Sequence, residues 1–349
     1  MNDVPPIDAG AESRDPGPAT PAGPPSGRLR AITVVAAVIG LVIATAVIGY
    51  FNFGSVLAAM RPIGVGGFLV VVVAQVALFG PLGFAWWLVG PEPLRRSPVF
   101  MWGRLMREAA SDVLPFSQMG GIVIATRCAL LGGVSMAAAF GSSVVDITLE
   151  IVAQLIFTLI GVALLVHRLG LARHDNPLLL PVLAGVVIAA VIVTAFIVTQ
   201  NRGLHLFERM VERLFPAAAG GTRAVTDVIQ GAYARPLRQL LNIAIHVGAW
   251  FGGAVGVWLI CGFIGHPLPF LSVAAIESLL FAIRNAAFIV PSGLGIQEGA
   301  YAVIGPLFGL PAEAALALSL LKRARDVCIG LPSLLTWQFV ESRRVLRRD

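Results

Sequence analysis

An all-α, polytopic membrane protein is the fold class that this amino-acid sequence predicts, and three observations predict it. Of 349 residues, 57% are hydrophobic and only 13% charged, well below the roughly one-quarter charged share of a soluble domain. Several apolar stretches reach the length of about 20 residues that a helix needs to cross a hydrocarbon core roughly 30 Å thick. The two halves also share one order of features: apolar runs, a helix with charges, a Pro/Gly break, and a charged apolar run. Together these predict about six transmembrane helices plus two opposed re-entrant broken hairpins arranged as an inverted repeat. The net charge of +6 is small for the length. Its arginines cluster between apolar runs without forming one basic face, which excludes nucleic acid as a partner.

Residues 1–30 are rich in Pro, Gly, Ala and Asp and contain no basic stretch followed by a short apolar core. They predict a disordered cytoplasmic tail with no cleaved signal peptide. The first span runs from Ala31 to about Phe51. The second runs from Phe68 to Gly90, with Trp86 and Trp87 expected at the membrane interface. From Val99 to Leu114, one helical face carries Trp102, Leu105, Met106, Ala109, Ala110 and Val113, and the other carries Arg104, Arg107, Glu108 and Ser111. Pro115 to Gly121 break this helix, and Ile122 to Leu131 return as the second arm of a hairpin. A third span lies within Val134–Val166, a fourth within Leu178–Thr199 and a fifth within Leu237–Ile264. Residues 200–236 form an amphipathic connection on the membrane surface, with Leu204, Phe207, Val211 and Leu214 on one side. Phe270 to Val290 is an apolar helix carrying Glu277, Arg284 and Asn285; it breaks at Pro291–Gly295 and returns to Gly309. The last span, about Ala312–Phe339, holds Lys322, Arg323, Arg325 and Asp326, and residues 340–349 form a basic cytoplasmic tail. The transmembrane domain thus covers residues 31–339, with repeat 1 at about 31–166 and repeat 2 at about 178–339.

Offsetting the halves by about 176 residues places Arg107 one residue from Arg284, Pro115 on Pro291, Gly133 on Gly309, Asp146 on Lys322 and Glu150 on Asp326. An odd number of full crossings per half inverts the second copy, a known construction for carriers with discontinuous helices. Coincidence in Ala- and Gly-rich sequence is the alternative. Basic residues concentrate before the first span, near Arg95–Arg107, within Arg202–Arg238 and after the last span, which predicts both termini to be cytoplasmic.

Asp146, Glu150 and Gln154 recur every four residues and stay within an arc of about 80° on one helix. Lys322 and Asp326 share a face of the last span, with Arg323 and Arg325 beside them. A charge at the centre of a membrane helix costs about 2.5–3.5 kcal/mol on insertion scales, so such groups face a bundle interior or wet cavity and take partners. Repeat symmetry predicts that Asp146 and Glu150 approach Lys322, Arg323 and Arg325. Arg284, seven residues after Glu277, reads most simply as its ion-pair partner. Gly293, Gly295 and Gly299 surround Gln297 and Glu298, allowing a sharp turn and a close approach to a ligand after Pro291. The hairpin breaks are assigned to Pro115, Gly120, Gly121, Pro291, Gly293 and Gly295. The residues expected to line a cavity or meet a lipid headgroup are Arg107, Gln118, Asp146, Glu150, Arg284, Glu298, Lys322, Arg323 and Asp326. Simple interhelical ion pairing is the competing reading of these charges.

No dinucleotide or phosphate-loop motif is present, nor HExxH or GxSxG. The five histidines, His246 among them, read as core or interfacial residues. Cys128, Cys261 and Cys328 read as buried small hydrophobes. The sequence predicts no cofactor, no metal and no catalytic residue. An acid–base role for Glu298 is the weaker enzymatic alternative.

Leu114–Gly121, Val145–Glu150, Pro291–Gly299 and Leu321–Asp326 carry a family resemblance. At these motifs the chain, over about Ile32–Gln338, resembles the transmembrane region of lysylphosphatidylglycerol synthases, most closely the hopanoid-biosynthesis-associated branch. The resemblance implies lipid handling: a flippase for aminoacylated phospholipid in the synthases, hopanoid transport in that branch. The bifunctional synthases continue into a soluble aminoacyl-transfer domain, whereas this sequence stops about ten residues after its last span, so lysyl transfer is not expected. The resulting expectation is a multi-pass protein of the bacterial inner membrane, a lipid translocase or lipid-transport component and not an enzyme. Its expected partners are hopanoid or phospholipid and other lipid-synthesis or transport proteins. The alternatives are an intramembrane lipid-modifying enzyme using Glu298 or Asp326, and a scaffold for lipid-synthesis enzymes.

Overall fold

The computed structural model describes residues 58, 61–91, 97–113, 117–168, 219–286 and 295–345. The expected spans at Ala31–Phe51 and Leu178–Thr199, residues 200–218 of the surface connection, and the breaks at Pro115, Pro291 and Gly293 lie outside the described residues.

The described chain is entirely helical apart from its turns. A 3-10 turn, Arg61–Ile63, leads into α1, Gly64–Leu88. Next come α2, Ser97–Val113, α3, Ser117–Leu131, and α4, Met136–Arg168. After the undescribed segment follow α5, Ala219–Tyr233, α6, Pro236–Phe263, and α7, Phe270–Ala286. The series ends with α8, Ile296–Leu307, and α9, Ala312–Val345. Among the described residues, three helices are long and apolar enough to cross a membrane: α1 with its 3-10 turn (28 residues), α4 (33 residues) and α6 (28 residues). Helix α9 is longer still, 34 residues, but Lys322, Arg323, Arg325 and Asp326 set its composition apart.

Val65, Leu69, Val73, Leu237, Leu240, Leu335 and Phe339 all point outward and are exposed. So large an unburied apolar surface is unstable in water and stable against hydrocarbon chains. Inside this belt the buried side chains form separate cores. One joins α6, α7, α8 and α9 around Ile260, Ile276, Tyr301 and Leu318. Another joins α1 to α5 around Trp86, Phe100, Leu149 and Ile229. A small third cluster, Met106, Ala110, Ile124 and Cys128, packs with Leu334 and Trp337 of α9 and ties the halves together.

Helices α1–α4 and α6–α9 correspond in order and length. Helices α4 and α9 start 176 residues apart, at Met136 and Ala312, and each follows a left-handed glycine, Gly133 (φ 82°) and Gly309 (φ 90°). At both, the next residue's N–H reaches back into the preceding helix, Val134 to Ala129 and Leu310 to Gly305, each at 3.0 Å. This is the six-to-one bond of a Schellman motif, which needs a residue at positive φ and so favours glycine. The packing repeats as well: α2 lies on α3 as α7 lies on α8, α2 contacts α9 as α7 contacts α4, and α1 and α6 contact each other.

Some sequence expectations are corrected. Gly120 and Gly121 do not break the chain; they lie inside α3. The missing side chain at Gly121 lets α3 sit directly on α2, where a Cβ would lie 2.6 Å from the Arg107 carbonyl oxygen. Trp86 is not an interfacial anchor: it is buried, its indole N–H donates to Ser142 Oγ at 3.0 Å, and its ring packs edge-on against Phe100. Cys128 and Cys261 are buried as expected, whereas Cys328 is exposed on α9.

Gly121→Ala should therefore strain the α2–α3 contact and cost about 1–3 kcal/mol. Gly248→Ala on α6, where a Cβ meets nothing within 4 Å, should be neutral. Thermal unfolding of the two variants in detergent micelles checks the difference.

Candidate functional site: a charged network inside an apolar bundle

Helix α2 supplies the first group of charges because its polar face turns inward. Arg104 and Arg107 are almost fully buried. Arg104 donates to both oxygens of Glu150 on α4, at 2.6 and 3.0 Å, and Arg107 donates to Glu150 Oε2 at 2.5 Å. Glu108, one turn on, pairs with Arg104 at 3.0 Å. Asp146 lies 3.7 Å from both guanidiniums. It accepts a closer hydrogen bond from Asn242 of α6 at 2.9 Å and faces His246 Nε2 at 3.1 Å.

This arrangement overturns the expected approach of Asp146 and Glu150 to Lys322, Arg323 and Arg325. The acids on α4 find their cations on α2, within the same half. Lys322 instead donates to Glu277 of α7 at 2.6 Å and to the Tyr301 hydroxyl at 2.7 Å. Tyr301 donates in turn to Glu277. All of these side chains are buried, and Lys322 also lies over the rings of Phe281 and Tyr301.

With Glu277 taken by Lys322, Arg284 does not pair with it as expected. Arg284 crosses to the other half and donates to Asp112 of α2 at 3.1 Å. It also reaches Gln297 Oε1 at 3.4 Å, and Gln297 donates to Ser319 Oγ at 3.0 Å. Ser319 faces Glu298 Oε1 at 3.5 Å, and Glu298 is clamped by Arg323. Glu298 also accepts the Gly295 N–H at 2.9 Å, closing the first turn of α8, where Gly295 has φ 76°. A single connected path, Asp112–Arg284–Gln297–Ser319–Glu298–Arg323, thus links α2, α7, α8 and α9. Asp326, paired with Arg325 at 2.7 Å, lies within electrostatic reach of Asp112 and Arg284.

The clusters differ in access. In the Lys322–Glu277 pair the side chains are 4% and 2% exposed, whereas in Arg284–Asp112 they are 22% and 26% exposed. The Arg323 side chain is 22% exposed above a buried Glu298. A guanidinium with this access can exchange its carboxylate for a phosphate, since both accept the same bidentate fork.

Of the residues expected to line a cavity, the structure joins Arg107 to Asp146 and Glu150, and Arg284 to Glu298 and Arg323 through Gln297 and Ser319. Lys322 sits in its own sealed pair. Gln118 lies in α3, but its side chain is outside the described set. Arg104 was legible only as part of α2's polar face. Asp112, Tyr301, Asn242 and His246 were missed as site residues. Asn242 and His246 did leave a signal: two polar side chains four residues apart in an otherwise apolar run.

An all-α, multi-pass membrane bundle with ion pairs held inside an apolar belt is the class that fold and site define. The family model for the lysylphosphatidylglycerol synthase TM region matches residues 37–332, and the chain belongs to that family. It is accordingly a lipid-handling membrane protein. No curated protein and no solved structure matches the chain. The family match corrects the expectation that the chain is not an enzyme, because the family is that of a synthase that modifies lipid.

Glu150→Gln strands two buried guanidiniums, and breaking a buried pair from one side costs about 3–5 kcal/mol. Asp112→Asn leaves Arg284 with Gln297 and partial access to its surroundings, so its cost should stay near the ~0–1 kcal/mol of accessible pairs. Thermal unfolding in detergent should rank Glu150→Gln as much the more destabilising.

Proposed function

We propose that the chain holds the polar end of an anionic membrane lipid at the accessible charges Asp112, Arg284, Arg323 and Asp326, while the lipid's apolar body stays in the bilayer. The observation that carries this reading is the partly exposed Arg284–Asp112 pair, joined through Gln297 and Ser319 to Glu298–Arg323. A phosphate displacing Asp112 from Arg284 gains two parallel hydrogen bonds and releases a carboxylate that an ammonium group on the same headgroup can meet. The site of action is the bacterial inner membrane, with both termini in the cytoplasm.

Family membership favours a part in lipid modification. Glu298 and Arg323 would then hold the headgroup in register, with Asp326, one turn from Arg323 on α9, for acid–base work.

A second reading, translocation of phospholipid or hopanoid between leaflets, is supported by the correspondence of α1–α4 with α6–α9. Residues 31–339 would form one transmembrane domain made of two inverted repeats, and α2–α3 and α7–α8 would be opposed hairpins. Rocking one half against the other would expose the shared charges alternately. The crossing contact of Arg284 with Asp112 would open and close in that motion.

The test reconstitutes purified protein in vesicles with labelled phosphatidylglycerol or hopanoid and follows both the mass and the leaflet of each lipid. Wild type should act on at least one lipid, and Arg323→Gln and Arg284→Gln should each reduce that action tenfold or more. A mass change supports modification, and movement without one supports translocation. If wild type causes neither, the headgroup reading fails and a scaffold role for lipid-synthesis enzymes replaces it.

A further inference from the structure

A second polar seam runs between α4 and α6, away from the headgroup network. On α4 it consists of Asp146, Glu150 and Gln154, and on α6 of Asn242, His246 and Trp250, each set at four-residue intervals. The two helices run in the same direction here: Asp146 meets Asn242 and His246, and further along Phe157 stacks with Trp250 and packs edge-on against Phe251. Eight residues of helix extend the seam over about 12 Å. It therefore reaches well into two helices long and apolar enough to cross a membrane.

Most of its polar atoms find no hydrogen-bond partner among the described residues: Asp146 Oδ2, Asn242 Oδ1, His246 Nδ1, both amide atoms of Gln154, and Trp250 Nε1. Asn242 and His246 are 0% and 1% exposed. A buried polar atom without a partner costs about 1–3 kcal/mol. Donors and acceptors are mixed along one line, which suits a ligand that can both donate and accept.

A metal ion fits poorly. Asp146, Glu150 and His246 do bring ligand atoms within 4.8 Å of one another. Both Glu150 oxygens, however, are already held by the guanidiniums of Arg104 and Arg107, and a divalent ion would meet those two positive charges at close range.

A proton fits. The arginines hydrogen-bond to Glu150, and Arg104 also pairs with Glu108, so the hydrogen bonds to Asp146 come from Asn242 and His246. Counted with Glu108, three carboxylates face two guanidiniums, and an imidazolium at position 246 would balance the group. On α6 itself the charged side chain is Arg238, about two turns before the ring. Helix α1 offers only the Ala85 carbonyl, which accepts from Asn242 at 2.8 Å. Arg61 on the 3-10 turn and Arg223 and Asp227 on α5 are exposed. On α7 and α9, Glu277 and Arg284 are engaged with Lys322 and Asp112, and Arg325 with Asp326.

We propose that the α4–α6 seam is a hydrated proton-binding site, in which His246 backed by Asp146 takes up the proton and water bridges His246 Nδ1, Asn242, Gln154 and Trp250. Water with two to four polar neighbours is the usual occupant of such a buried line. Protonation then gives the lipid-handling protein a source of coupling independent of nucleotide, and this part of the inference alone rests on the proposed function.

The test uses full-length protein in lipid bilayers with His167, His174, His205 and His266 replaced by Gln, leaving His246 as the sole imidazole and keeping the seam intact. Solid-state nitrogen NMR of the labelled ring, recorded as the pH is lowered, should show the neutral ring signals give way to the imidazolium signal. Asp146→Asn removes the facing negative charge and should reduce the share of the imidazolium signal at a given pH. Magnetisation should also pass from water protons to the ring. A ring signal that does not change with pH, or a ring that receives nothing from water, overturns the proposal. Both readouts are independent of lipid activity, so their failure is distinct from failure of the headgroup site.

Discussion

An ionised side chain inside a bundle whose outer face is hydrocarbon must be paired, and this requirement organises the interior of the protein. Born desolvation makes a lone buried charge cost several kcal/mol even after relaxation. The bundle meets much of this cost by bringing a cation into direct contact with an acid: Arg104 and Arg107 with Glu150, Lys322 with Glu277, Arg323 with Glu298. Helix α2 illustrates the consequence. Its arginines have no place on a lipid-facing surface, so the helix is drawn to the centre, with its apolar face against α3 and α9 and its charged face against α4.

The same requirement explains how two halves with opposite charges can share one packing plan. Asp146 and Lys322 occupy equivalent places in α4 and α9, 176 residues apart. Lys322 is answered by Glu277 on α7 of its own half, and Asp146 by the α2 arginines at 3.7 Å together with Asn242 and His246 of α6. Charge can change sign between the halves because each position needs only a local counter-charge. Across the halves, Arg284 and Asp112 form a pair more accessible than the sealed Lys322–Glu277 pair within one half. An interaction that can be solvated from one side is the one that can be exchanged without stranding a buried ion.

Sequence and structure agree most closely where the signal is local. The apolar runs, the aligned glycines at 133 and 309 and the hydrophilic interruptions of α9 are properties of a few adjacent residues. Agreement fails where a distant helix decides. Gly120 and Gly121 look like helix breakers from composition, but α3 continues through them because Gly121 meets the backbone of α2. Trp86 has the sequence context of an interfacial anchor, yet Ser142 and Phe100 draw it into the core. His246 looks like one more scattered histidine until α4 sets Asp146 against it.

The sequence by itself determined that this is an all-helical membrane protein, which helices carry the charges, and that those charges must be buried and paired. These follow from hydropathy, helical periodicity and the cost of charge in a low-dielectric medium, all readable along one chain. Only the tertiary structure decided which acid meets which base. Coulomb energy falls with distance, and the distances between α2, α4, α7 and α9 depend on side-chain packing that no single helix encodes.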